Sequence, residues 1–77
     1  MAIQGIKKEL RVKFLVPKAK LKAERRAKEW TTSYVAELIG LERRQYEQKE
    51  KGLYPFHDYE MLILASAFGK KVSELFF

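Results

Sequence analysis

Residues 31–52 read TTSYVAELIGLERRQYEQKEKG, and this stretch decides the fold. Thr31 stands where a hydroxyl can cap a helix by accepting an orphan backbone N–H. The helix it opens is predicted over 32–39. Val35, Leu38 and Ile39 turn inward, and Ala36 is small enough to let another helix approach closely. Gly40 suits a left-handed helix end, which costs other residues about 1–2 kcal/mol. Leu41 returns to the core, and a second helix is predicted over 42–51, stopping at Gly52. That second helix is unusual, because Tyr46 is its one large apolar residue. A helix polar nearly all round is either weakly anchored or meets a partner.

Working outward from this stretch, residues 18–28 are rich in helix formers. Ala23, Ala27 and Trp30 fall at i, i+4 and i+7, an apolar stripe that Leu21 widens. Pro17 separates this helix from Leu10, Val12, Phe14 and Val16, whose alternation with Arg11 and Lys13 predicts a strand over 10–16. A lone strand in so helical a chain either pairs with a second copy, lies on the helical body, or stays a basic arm. Downstream, the aromatics of loop 53–57 are expected to pin it to the body. Asp58 is then the expected N-cap of a helix over 59–68, the most apolar element, which Gly69 ends. A short last helix over 71–76 offers Val72, Leu75 and Phe76 for burial. The expected architecture is all-α: a basic arm over residues 1–17, then a five-helix domain over 18–77.

Seventy-seven residues are enough for one domain, burying only about 60% of its unfolded surface. The net charge is +6, and it is uneven. Residues 1–28 hold ten Lys and Arg against two Glu, hence +8, while residues 29–77 hold six basic and eight acidic groups, hence −2. Such asymmetry suggests a polyanionic partner, nucleic acid or an anionic membrane face. Without cysteine there is no disulfide scaffold and no Cys-based zinc site. His57 is the only histidine, which leaves neither a His-rich metal site nor a Ser-His-Asp arrangement. The longest apolar run, 61–65, is far below the roughly 20 residues that span a bilayer. Charges at Lys7, Lys8, Glu9, Arg11 and Lys13 leave no apolar core for a secretory signal. A cytoplasmic protein, without cofactors, metals or small-molecule substrates, is therefore expected, and an enzyme is not.

Residues 31–52 also have the spacing of a helix-turn-helix, in which one short helix braces across a DNA backbone while the next enters the major groove. The motifs around it carry a resemblance. Leu21-Lys22-Ala23 with Arg25, Trp30-Thr31-Thr32, Val35-Ala36-Glu37-Leu38-Ile39-Gly40-Leu41, Glu50-Lys51-Gly52 and Val72-Ser73-Glu74-Leu75-Phe76 together resemble the lambda-repressor-like, Cro/XRE-type helix-turn-helix family. The likeness extends from Leu21 to Phe76, 56 of the 77 residues. It implies a five-helix bundle that binds double-stranded operator DNA, usually as a homodimer, to regulate and most often repress transcription. The length is similar to that of a phage Cro-type regulator.

The resemblance implies base contacts from Arg43, Arg44, Glu47 and Gln48. Arg pairs bidentately with guanine, Gln with adenine, and Glu accepts from cytosine. Phosphate contacts are expected from Thr32 and Ser33 at a helix N-terminus, and from Lys51 and Tyr54 beyond the reading helix. It further implies an Arg25–Glu50 pair between the first and third helices. Where the family often has apolar residues this chain has Glu24 and Lys49, which are expected to face each other as an ion pair. Glu42 replaces the usual hydroxyl cap. Dimer contacts are expected from Val72, Leu75, Phe76 and Phe77, the alternative being that Phe76 packs inside its own chain. A protein-interaction module of the same fold, antitoxin-like or an anti-repressor partner, is the competing function, and the offset of Glu42, Glu47 and Glu50 against Arg43, Arg44 and Lys49 favours it.

Overall fold

A computed structural model describes residues 14–77, which form α1 (Ala19–Ala27), α2 (Thr32–Leu38), α3 (Arg43–Glu50), α4 (Asp58–Phe68) and α5 (Val72–Phe76). No strand occurs among the described residues. Residues 10–13 of the expected strand lie outside them, and the remainder is not extended: Phe14 has helical backbone and Leu15 and Val16 form a bend. Alternation over so few residues has no ladder to select it.

Each of the first four helices ends on the same pair of reverse hydrogen bonds, which satisfies carbonyls the helix leaves orphaned. In α1 the Trp30 N–H donates to the Arg25 carbonyl at 3.1 Å and the Glu29 N–H to Arg26 at 3.0 Å. The residue at the reversal must be left-handed. It is Gly40 after α2, Gly52 after α3 and Gly69 after α4, but after α1 it is Glu29, at φ +57°. Because this side chain bears a left-handed penalty that glycine avoids, Glu29→Gly is expected to raise stability by about 0.5–1 kcal/mol. A urea melt reads this directly, and a lower midpoint for the variant would contradict it.

Val35 and Ala36 of α2, with Ile39 just past its end, meet Tyr46 of α3, Leu64 and Phe68 of α4, and Leu75 and Phe76 of α5 in one core. Phe56 bridges it, 6.0 Å from the Tyr46 ring and 5.1 Å from that of Phe76. Trp30 lies half-buried between Tyr34 and Phe68, with ring centroids 5.0 and 4.9 Å away. α1 does not bury the stripe its alanines suggest. Ala23 and Ala27 are exposed, whereas Leu21 is fully buried and Arg25, one turn on, faces inward to an acid on α3. An ion-pair partner on α3 thus sets the rotation of α1. In loop 53–57 only Phe56 is buried, while Leu53 and Tyr54 stay exposed. His57, not Asp58, is the N-cap of α4, because the Glu60 side chain reaches back to accept the His57 N–H at 2.8 Å.

The chain before α1 lies against the end of α3. The Lys18 N–H donates to the Glu50 carbonyl at 2.8 Å, and Gly52 comes so close to Val16 and Pro17 that a Cβ there would lie within 2.6 Å of Pro17 N and Val16 O. Lys18 is buried, its ammonium donating to the Phe14 carbonyl at 3.0 Å, and that burial lowers its pKa.

Candidate functional site

α2 packs most extensively on α3, across a four-residue turn, Ile39 to Glu42, that contains left-handed Gly40. The Thr31 hydroxyl caps α2 by accepting the Tyr34 N–H at 3.0 Å. At the start of α3, Glu42 stands at the cap as expected, and its N–H donates to Gln45 Oε1 at 3.0 Å.

α3 is held entirely from its inner side. Tyr46 is fully buried, and Lys49 and Glu50 are nearly so. Arg25 grips the Glu50 carboxylate with both prongs, Nε to Oε2 at 2.9 Å and Nη2 to Oε1 at 3.0 Å, while its Nη1 donates to the Trp30 carbonyl at 3.1 Å. The expected Arg25–Glu50 pair is therefore present. Tyr46 adds a third donor to Glu50 through its hydroxyl. Burial, followed by the hydrogen bond to Glu50, pushes the Tyr46 hydroxyl pKa well up, and the hydrogen bond from Arg25 to Glu50 raises that of Arg25.

Lys49 does not meet Glu24. Its ammonium donates to Glu60 Oε1 on α4 at 2.7 Å and lies 5.9 Å from the centre of the Phe56 ring, while Glu24 faces Lys70 at 4.0 Å. The inner face of α3 looks toward α4 at position 49, out of reach of α1 at position 24. Glu60 is fully buried, and its second oxygen, Oε2, has no hydrogen-bond partner.

The outer face of α3 carries the residues expected to read bases. Arg43 and Arg44 are exposed, Glu47 and Gln48 half-buried, and Lys51 lies exposed beyond the last turn. Glu47 is engaged: the Thr32 hydroxyl donates to its Oε2 at 2.6 Å and Arg43 Nη1 stands 3.7 Å away, which together hold its carboxyl below the usual range, the hydrogen bond contributing most. Thr32 thus spends its hydroxyl on Glu47. Ser33 is exposed in the first turn of α2. Tyr54 lines, with Gln45, Gln48 and His57, a shallow cavity of about 390 Å³.

A second cleft, of about 500 Å³, runs between α1 and α3 and brings Lys22 and Arg26 beside Thr32, Glu47 and Lys51. Sequence reasoning missed this pairing of Lys22 and Arg26 with α3. The signal was present, because Lys22 and Arg26 stand at i, i+4 and so share one side of α1. Of the expected dimer contacts, Leu75 and Phe76 are buried in the chain's own core, which removes them from any partner's reach. Val72 is half-buried, and the 44%-exposed Phe77 meets the Phe14 ring edge-on at 5.4 Å. A C-terminal helix this short must turn its largest side chains inward to be held at all.

Among the described residues no helix is long and apolar enough to cross a membrane, and no cluster of His, Cys, Asp or Glu is arranged to hold a metal ion. No protein-family model, curated protein or solved structure matches the chain.

Proposed function

We propose that the chain is a sequence-specific, double-stranded-DNA-binding transcriptional regulator of Cro/XRE type, acting as a repressor from a helix-turn-helix formed by α2 and α3. The observation that carries this reading is the division of α3 into two faces. Its inner side is fixed by Tyr46, Lys49 and Glu50, and its outer side presents Arg43, Arg44, Gln48 and Lys51 with no packing duty. Two of the acids that made the helix look neutral are consumed, Glu50 by Arg25 and Glu47 by Thr32 and Arg43. What faces outward is net basic, which supports DNA over the protein-interaction alternative.

In this reading Arg44 and Gln48, one turn apart, are the base readers, pairing with guanine and adenine edges in the major groove. Arg43 reads beside them, oriented by Glu47, whose carboxylate is turned to Thr32. Lys51, together with Lys22 and Arg26 across the cleft, neutralises phosphates, and Ser33 adds a backbone-proximal hydroxyl. Two copies bind half-sites about one helical turn, roughly 34 Å, apart.

Selection from random duplex DNA tests this. An enriched, roughly palindromic site is expected, on which Arg44→Ala costs about 1–3 kcal/mol at one defined base pair. Arg26→Ala is expected to weaken all sequences alike and to reduce the salt slope by about 1. If no sequence is enriched, or if Arg44→Ala lowers affinity uniformly, base reading by α3 is wrong.

A further inference from the structure

We infer that the outer face of α4 is a self-complementary surface on which a second copy of this chain docks, the two α4 helices running antiparallel. Tyr59, Leu62 and Ile63 are 58%, 64% and 41% exposed, at i, i+3 and i+4 on the side of α4 away from Met61, Leu64, Ala65 and Phe68. Ser66 and Ala67, also exposed, continue that side one turn further on. Between residues 59 and 67 it carries no charge, since Glu60 points inward, although 34% of the chain is charged. An uncharged face of this kind on so charged a molecule marks an interaction surface.

The order of side chains along the face selects the occupant. It is bulky at its N-terminal end, with Tyr59, and small at its C-terminal end, with Ser66 and Ala67. A two-fold axis near residues 62 and 63 places each Tyr59 over the partner copy's small end and sets the aliphatic pair on its own counterpart. The charges at the two ends agree. Asp58 begins α4 and Lys70 follows its end, so the same axis brings each aspartate within reach of a lysine side chain of the other copy. Lys70 is drawn only weakly elsewhere, its ammonium standing 4.0 Å from Glu24 Oε2. A parallel arrangement instead opposes Tyr59 to Tyr59 and Asp58 to Asp58.

An eleven-residue helix is only about 16 Å long and cannot supply the roughly 800 Å² per partner of a stable interface, so the free dimer is weak. The inference sharpens the two-copy part of the proposed function, but its test uses the protein without DNA, so it stands or falls separately from base reading.

The chain has no cysteine, which makes engineered thiols unambiguous. Leu62→Cys and Ile63→Cys, at exposed positions, are expected to form disulfide-linked dimers at least ~10-fold faster than the exposed control Ser73→Cys. Tyr59→Cys and Ser66→Cys are each expected to stay monomeric alone and to cross-link when mixed. In sedimentation at high protein concentration, Leu62→Glu raises the dimer dissociation constant at least ~30-fold with helicity unchanged, the scale of an interface hot spot. Cross-linking at 62 and 63 no faster than at 73, self-linking of Tyr59→Cys as fast as the mixed pair, or a monomeric wild type at every concentration overturns the inference.

Discussion

Gly52→Ala lowers stability by about 2–5 kcal/mol, a large share of what holds a domain this small together. Two costs coincide at this position. The backbone is left-handed, at φ +86°, which a Cβ makes unfavourable by about 1–2 kcal/mol. The new methyl also enters backbone space held by Val16 and Pro17, where overpacking adds about 1–3 kcal/mol. Backbone cannot rotate aside as a side chain can. Gly40→Ala separates the two costs, because at φ +70° a Cβ there meets nothing within 4 Å, and its loss is expected to stop at about 1–2 kcal/mol. Urea denaturation of both variants measures the difference. Equal losses would mean that the chain before α1 does not press on the end of α3.

Lys49→Leu is the second large effect, and its sign depends on Glu60. Alone, it leaves a fully buried carboxylate without its cation and with only the His57 N–H as donor, a loss of about 3–5 kcal/mol. With Glu60→Leu added, the desolvation penalty of both charges disappears, and stability is expected to return to the wild-type level or exceed it by about 1–4 kcal/mol. The unpartnered Oε2 of Glu60 strengthens that expectation, because the native pair leaves one oxygen unsatisfied. Calorimetry of the single and double variants decides the matter. A double variant less stable than the wild type would show that the pair contributes net stability to the core.

Much of the backbone organisation was legible from short-range chemistry. Thr31 as a cap, glycine at 40, 52 and 69, and the apolar positions of 32–39 place α2, α3 and α4 within a residue or two, because caps and left-handed stops act locally. Tyr46 was legible as the anchor of α3 because it had no apolar competitor on that helix. The rest depended on which elements touch. Nothing near Lys49 in the chain reveals that it faces Glu60 rather than Glu24, and the rotation of α1 follows from Arg25 meeting Glu50 more than from its alanines. The four apolar residues 61–64 have no internal period that tells the buried Met61 and Leu64 from the exposed Leu62 and Ile63. For the candidate site, the outer positions of α3 could be listed from helical spacing, but the engagement of Glu47 by Thr32 and the approach of Lys22 and Arg26 require the tertiary fold.

The two-sided construction of α3 has an evolutionary consequence. Tyr46, Lys49 and Glu50 supply the helix's attachment, and the burden on them is independent of what stands at 44, 48 and 51. Those outer positions can therefore drift through almost any polar side chain while the scaffold stays intact. For a helix that reads DNA as proposed, new preferences become reachable one substitution at a time, without a passage through unfolded intermediates.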